Sequence, residues 1–273
     1  MENLEKERHI QENGKKVSVV DASVFETRDI YGVDGEEKKG KGREGERAFH
    51  EKKGRTNRRL RKDVDNNFVP TEDWGTEALL AVEDFSGSIL EPACGDGAMA
   101  RVLSDAGYHV IASDLIDRGY GEVGRDFFER TEKCDNIVTN PPYGSGRIAD
   151  RFVIHALGLA QKKVVMLLRL SFLEGVWRRN HIFDRFPLSR VWIFSERLTL
   201  WWPDRRPDPD DKQSGGGTTA YAWFVWDMSE ESPASSHPEI RFLPMGFKEQ
   251  ARLRKVEAQI LQEDIEIGQM QLF

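Results

Sequence analysis

From about residue 68 the apolar positions fall into short blocks of two kinds. "TEDWGTEALLAV" (71–82) has early acids and apolar residues at helical spacing, which predicts a helix capped near Thr71. "GSILEPACGDG" (87–97) is a short apolar strand running into a glycine-rich turn, and "GAMARVLSDAG" (97–107) is a helix ended by Gly107. "HVIASD", "NIVTN" and "KKVVMLLRLSFL" are compact apolar runs that predict buried strands, and "ADRFVIHALGLA" (149–160) is a helix between the last two. "SRVWIFSERLTLWW" predicts one or two strands and "TAYAWFVWDM" another, with the polar insert "PDRRPDPDDKQSGGG" (203–217) between them. Strands alternating with helices predict a parallel α/β sheet. The last two strand regions predict an antiparallel hairpin at one sheet edge, with 203–217 as a long mobile loop.

The two ends of the chain differ from this body. Residues 1–66 are rich in Gly, Lys, Glu and Arg and poor in large apolar residues, so they read as a largely disordered arm with one short strand at "KKVSVV". The tail from Gly246 begins as a charged helix with Leu253, Val256, Ile260 and Leu261 on one stripe, which Gly268 is expected to break before "QMQLF". The expected organisation is an arm over 1–66, a catalytic domain over 67–246 and a tail over 247–273.

Charge sharpens the contrast. Residues 1–62 hold 17 Lys/Arg and 13 Asp/Glu, a net of +4, so the remainder of a chain of net −7 carries −11. The basic run at 38–62 is either a solvated tail or a holder of a polyanion through phosphate contacts. No apolar run reaches the ~18–20 residues of a membrane span, and the charged N-terminus has no signal-peptide core. Cys94 and Cys134 have neither metal-ligand spacing nor a disulfide framework. The reading is a cytoplasmic protein with no metal.

Three motifs carry candidate chemistry. In "EPACGDGAMA", Gly95 and Gly97 permit a tight turn and close approach of a ligand, and the following helix start offers free amides. Asp114 ends the next strand about 20 residues on, where a carboxylate reaches ribose hydroxyls. Ala98 and Ala100 follow Gly97, so the turn falls short of the G-x-G-x-x-G pattern and nothing favours NAD. In "GRDFFE", Asp126 can accept from an adenine amine and Phe127 can lie on its face, although both phenylalanines also suit a core.

The third motif is "NPPY" after the strand at "NIVT". An exocyclic amine of a base is a poor nucleophile because its lone pair is delocalised into the ring. The side-chain oxygen of Asn140 and the main-chain carbonyl of Pro141, held rigid by Pro142, could each accept one N–H. They would stabilise charge that develops during attack. Tyr143 can stack on the base.

The set "EPACGDG", "SDLID", "GRDFF" and "TNPPYG", in this order, resembles the S-adenosylmethionine-dependent amino-methyltransferases, and most of all the DNA adenine N6-methyltransferases. The resemblance covers about 68–227, and "LLRLSFLEG" and "AYAWFVW" are similar to compact phage and prophage members. It implies a Rossmann-like class I fold with a mostly parallel seven-stranded sheet, an antiparallel edge hairpin and helices on both faces. It also implies that Pro70, Thr71, Glu91, Ala93, Gly95 and Gly97 line the methionine and ribose end of S-adenosylmethionine. Asp114 would hold the ribose, and Asp126 and Phe127 the adenine. Asn140, Pro141, Pro142 and Tyr143 would act on an adenine flipped out of DNA.

Trp201 or Trp202 could supply a second aromatic wall, or equally pack at the sheet edge. Larger members carry a long recognition region that is lacking here, so Arg205, Arg206 and Lys212 are the candidate phosphate contacts and a short or degenerate target is expected. A C5-cytosine methyltransferase is disfavoured, because neither cysteine sits where a nucleophile is needed. RNA or protein-glutamine methylation, and a non-catalytic accessory protein, are the alternatives. The terminal "QMQLF" resembles the Gln-x-x-Leu-Phe peptide that binds the DNA polymerase sliding clamp, which implies that Gln269, Leu272 and Phe273 engage it. A frayed terminus is the plain alternative.

Overall fold

The computed structural model describes residues 8–12, 15–19, 68–143, 147–201, 219–229 and 237–270. The chain divides into two units, Met1–Asn66 and Asn67–Phe273. In the first, β1 (Arg8–Glu12) pairs antiparallel with β2 (Lys15–Val19), which contains the strand expected at "KKVSVV". The expectation of a disordered arm otherwise lies outside the described residues.

The second unit is built on β3 (Ile89–Glu91), β4 (Val110–Asp114), β5 (Glu122–Val123), β6 (Cys134–Thr139), β7 (Ala160–Arg169), β8 (Arg190–Ile193), β9 (Tyr221–Asp227) and β10 (Glu239–Phe242). They form one sheet in the order β10-β8-β9-β7-β6-β3-β4-β5. Every pairing is parallel except those of β9, which runs antiparallel to both β7 and β8. This is the expected Rossmann-like α/β fold, with two corrections. The sheet has eight strands, not seven. The β8–β9 pair is not at the edge, because β10 adds in parallel outside β8. The helices of eight residues or more among the described residues are α1 (Asp73–Leu80), α2 (Ala98–Asp105), α3 (Ile148–Leu159) and α4 (Phe247–Met270).

The core explains why the central strands read as continuous apolar runs. Val164 to Leu168 on β7 and Ala222 to Trp226 on β9 are inaccessible to solvent on both faces of the sheet. Each β9 indole finds a polar partner: Trp223 Nε1 donates to the Gly75 carbonyl at 3.0 Å and Trp226 Nε1 to the Phe186 carbonyl at 3.2 Å. A buried ionic cluster ties the sheet's far end. Glu83 accepts from Arg190, Trp192 and Lys163, and Asp227 also accepts from Arg190.

Two helix expectations change. The residue capping α1 is Glu72, with no side-chain capping bond; the Thr71 hydroxyl is used elsewhere, as described below. Helix α4 continues through Gly268 to Met270, because an interior glycine costs only about 1 kcal/mol and does not by itself stop a helix. On α4, Leu253, Val256, Ile260 and Leu261 are exposed, while Ala251 is buried and Arg254 and Lys255 pair with Glu77 and Glu72. Among the described residues, no helix is long and apolar enough to cross a membrane, and no cluster of His, Cys, Asp or Glu is placed to hold a metal.

The strand order reverses between β3 and β6, with β4 and β5 on one side and β7 on the other. The crevice at the carboxyl ends of β3 and β6 is therefore the ligand position in such a sheet. Glu91 ends β3, and Asn140 follows β6.

Candidate functional site

The glycine turn begins where β3 ends. Gly95 and Gly97 both have left-handed backbones, φ +56° and +85°, and Gly97 caps α2. A Cβ on Gly95 would lie 2.2 Å from the Phe68 ring, and one on Gly97 2.3 Å from the Tyr120 ring. Each ring carries a guanidinium, Arg118 over Phe68 at 4.2 Å and Arg101 over Tyr120 at 4.7 Å. The glycines are thus required both by backbone conformation and by aromatic rings that close over the turn.

Asp114, at the end of β4, accepts from the Gly95 amide at 2.8 Å and from the Ile116 amide at 2.9 Å. It braces the turn while its carboxylate stays at the crevice. Glu91 is 2% exposed, and its Oε2 has no hydrogen-bond partner among the described residues. Burial, then the neighbouring charges of Asp114 and Asp96, push its carboxyl up to about 8. A buried, proton-retaining carboxyl with one unmet oxygen, beside other carboxylates, suits a cation. The Cys94 thiol is pushed up to about 12, first by burial and then by Glu91, so it is not a thiolate nucleophile.

The "GRDFFE" residues divide. Asp126 caps a short 3-10 turn by accepting from the Phe128 amide at 2.9 Å. Phe127 is 4% exposed, with its ring 4.8 Å from both Phe152 and His155. It occupies the core position that its sequence also allowed, packed against Phe152 and His155 of α3.

The Asn-Pro-Pro-Tyr corner is more informative. Asn140 Nδ2 donates to the Val69 carbonyl at 3.2 Å and to the Thr71 hydroxyl at 3.1 Å. A carbonyl can only accept, so this contact assigns which end of the amide is nitrogen. The opposite end, Oδ1, is buried and has no partner among the described residues. Pro141 is buried and the peptide bonds here are trans. The Tyr143 hydroxyl donates to the Leu167 carbonyl, its ring meets Tyr221 edge-on at 5.9 Å, and it lines a cavity of about 280 Å³.

The structure therefore brings Pro70, Thr71, Glu91, Ala93, Gly95, Gly97, Asp114, Asn140, Pro141, Pro142 and Tyr143 to the carboxyl edge of β3, β4 and β6. Trp201 is half-buried; Trp202, Arg205, Arg206 and Lys212 lie outside the described residues, as do Leu272 and Phe273. Sequence reasoning missed Phe68, Tyr120 and the Val69 carbonyl. The two rings act by covering glycines, and the carbonyl is backbone, so none has a side-chain signature. Arg169 at the carboxyl end of β7 was a findable omission, since that edge is where ligands bind.

No family model matches the chain. The Type II methyltransferase M.TthHB8I of Thermus thermophilus is 38% identical over 90 residues, 29% of this chain and 21% of that protein. The chain thus covers about one fifth of this curated relative's length. Among solved structures, a candidate class I S-adenosylmethionine-dependent methyltransferase from Listeria monocytogenes aligns at 12% identity over 72% of this chain and 71% of the other, with a TM-score of 0.48. The M protein of the Type I restriction enzyme EcoKI aligns at 13% identity over 60% and 44%, with a TM-score of 0.42. A magnesium protoporphyrin IX methyltransferase from Synechocystis with bound S-adenosylmethionine aligns at 15% identity over 61% and 79%, with a TM-score of 0.37.

Proposed function

We propose that the protein transfers a methyl group from S-adenosylmethionine to the N6 amine of adenine in DNA, with the base turned out of the duplex. The observation that carries the reading is the orientation of Asn140. Both donors of its amide are held by Val69 and Thr71, while its oxygen is buried and left to accept. An unmet buried acceptor is costly, and an N–H donor from a substrate amine would satisfy it. The short similarity to a Type II methyltransferase supports the same class of chemistry.

The residues present fit the cofactor. The Glu91 carboxyl, whose Oε2 is unmet, with Asp114 and Asp96 near it, suits a group carrying positive charge, and Asp114 suits ribose hydroxyls. When bound, the cofactor supplies an electrophilic methyl group. The protein's own work is positioning. Asn140 Oδ1 and the Pro141 carbonyl accept the two amine hydrogens and turn the nitrogen lone pair out of conjugation. These two acceptors would stabilise the positive charge developing on that nitrogen as it took up the methyl group, and the surplus proton would then pass to water. Tyr143 forms the wall against which the base rests. The polar acceptors are fixed beforehand, so little reorganisation is needed during attack.

Incubation with tritiated-methyl S-adenosylmethionine and, in parallel, double-stranded DNA, single-stranded DNA and RNA tests the proposal. The expected product is N6-methyladenine in DNA by nucleoside mass spectrometry, lost in Asn140→Ala. Methylation confined to RNA or to protein glutamine would replace the substrate. Cofactor binding without any transfer would favour an accessory role. The terminal Gln269, Leu272 and Phe273 are proposed to tether the enzyme to the sliding clamp, raising its concentration at DNA. Deleting 269–273 should abolish clamp binding in a titration, and unchanged affinity would refute the tether. The proposed setting is the cytoplasm, where DNA and cofactor are both present.

A further inference from the structure

The cavity beside Tyr143 is lined by three arginines, Arg147, Arg169 and Arg178, and one carboxylate, Asp150, a net of two positive charges. This is a local reversal within a region whose net charge is −11, taken as the chain's −7 less the +4 of residues 1–62. The three cations are not equivalent. Arg178 is spoken for: its Nε meets Asp150, itself 2% exposed, at 2.5 Å, and its Nη1 donates to the Glu174 carbonyl at 3.1 Å. Arg147 and Arg169 are exposed, and among the described residues neither has an ion-pair partner.

Both are nonetheless held in place. The Arg147 guanidinium lies 4.3 Å over the Trp177 ring, which stacks on His181 at 4.4 Å and 10°. Its backbone is left-handed, φ +56°, the one non-glycine residue so placed among those described. The Arg169 guanidinium lies 5.4 Å over the Tyr143 ring. A guanidinium stacked on a ring keeps its N–H edge free and oriented, the arrangement that suits bidentate recognition of phosphate.

We infer that Arg147 and Arg169 form a phosphate-binding rim on the target-base cavity, holding a phosphodiester next to the nucleotide that enters it. The inference rests on the proposed DNA methyltransferase activity and adds where on the protein the strand is gripped. It places that grip beside Tyr143, in addition to any contact from the 203–217 loop. The phosphate neutralises the rim charges and fixes the register of the strand, while the base passes to Tyr143 and Asn140.

Salt dependence of binding tests it. A fluorescein-labelled duplex is titrated with wild type, Arg147→Asn and Arg169→Gln between 50 and 200 mM NaCl, ionic strengths at which phosphate contacts are resolved. Asparagine tolerates the left-handed backbone at 147. Each variant should weaken binding several-fold and lower the slope of log K against log salt by about 0.9, the value per duplex phosphate. Cofactor affinity should stay unchanged, and Arg169→Lys should keep the slope. Slopes equal to wild type in both neutral variants would overturn the inference. Phenylglyoxal labelling of the wild-type protein needs no variant: DNA should shield Arg147 and Arg169 in peptide mass spectra, and equal labelling with and without DNA would also overturn it. Wild type that neither binds nor methylates nucleic acid would instead remove the activity on which the inference rests.

Discussion

Asn140 and Thr71, 69 positions apart in the chain, are joined side chain to side chain at 3.1 Å. With the Val69 carbonyl, Thr71 consumes both donors of the Asn140 amide and leaves its buried oxygen without a partner among the described residues. The entry segment of the domain thereby orients the residue on which the proposed chemistry depends. Phe68, in the same segment, covers Gly95, so one stretch of four residues touches both motifs.

The first prediction follows from that bond. Thr71→Val keeps the shape of the side chain and removes the acceptor, leaving Asn140 held by Val69 alone. A weakened orienting hydrogen bond is worth about 1 kcal/mol, so kcat should fall roughly 5- to 10-fold. KM for DNA should change little, because Thr71 is argued to act through Asn140. Steady-state kinetics decides it; an unchanged kcat would mean that Val69 suffices.

Glu91 makes a prediction about protons. Its carboxyl is held up to about 8 in the fold against 4.5 in its ordinary state. Between those values the folded protein binds more protons at this site than the unfolded chain. Its contribution therefore lowers stability as pH rises from about 5 to 8. A bound cation would reverse the preference and expel the proton. Calorimetric titration with S-adenosylmethionine at pH 7 in buffers of different ionisation enthalpy should show proton release on binding, and Glu91→Gln should abolish it. Equal enthalpies in all buffers for wild type would place the cationic group elsewhere.

Gly97 tests the aromatic cover. Gly97→Ala puts a methyl within 2.3 Å of the Tyr120 ring at a φ of +85°. Left-handed backbone costs a residue with a Cβ about 1–2 kcal/mol, before any ring displacement. Gly97→Ala should lower the melting temperature by several degrees and weaken cofactor binding. In the double variant Gly97→Ala, Tyr120→Ala, the backbone cost should remain and the clash should go. Equal melting temperatures in the single and double variants would show that the ring yields freely.

What the sequence disclosed and what it hid both have physical causes. Strands β6, β7 and β9 are legible because burial on both faces forces unbroken apolar runs such as "VVMLL" and "AWFVW". Strand β10 is harder to read because it is only four residues long and all of Glu239–Phe242 is exposed, so the polar–apolar alternation of EIRF does not report a buried face. The glycine turn, Asp114 and Asn140 are legible because each needs one residue type for its geometry. Thr71 misleads at the level of the helix, since a Thr ahead of acids is also a capping signature. Only the fold reveals that its hydroxyl faces Asn140. Phe127 shows the opposite hazard: an aromatic after a candidate ligand carboxylate is claimed by the core.

The last prediction concerns the ionic cluster that holds β8, β9 and β7 to the segment after α1. Glu83 is 3% exposed and accepts from Arg190 Nη2 at 2.9 Å, Trp192 Nε1 at 2.8 Å and Lys163 Nζ at 3.0 Å. Burial works against its ionised form, but these donors prevail and hold the carboxyl below its ordinary range. Asp227 is likewise held low. For a carboxylate lowered in this way, the stabilisation is fully present above the ordinary value near 4.5 and is lost as pH falls through the lowered one. The protein should therefore lose stability steeply on acidification below about pH 4.5. Glu83→Ala removes the shared acceptor and leaves Asp227 as the one carboxylate facing both Arg190 and Lys163 among the described residues, which should cost roughly 3–5 kcal/mol, the range for breaking a buried ion pair from one side. Glu83→Gln, which keeps the shape and some acceptor capacity, should cost less and flatten the acid limb. Urea denaturation of the three proteins between about pH 2 and 7 measures both effects. If wild type and Glu83→Gln had parallel pH profiles, the acid sensitivity would belong to other carboxylates.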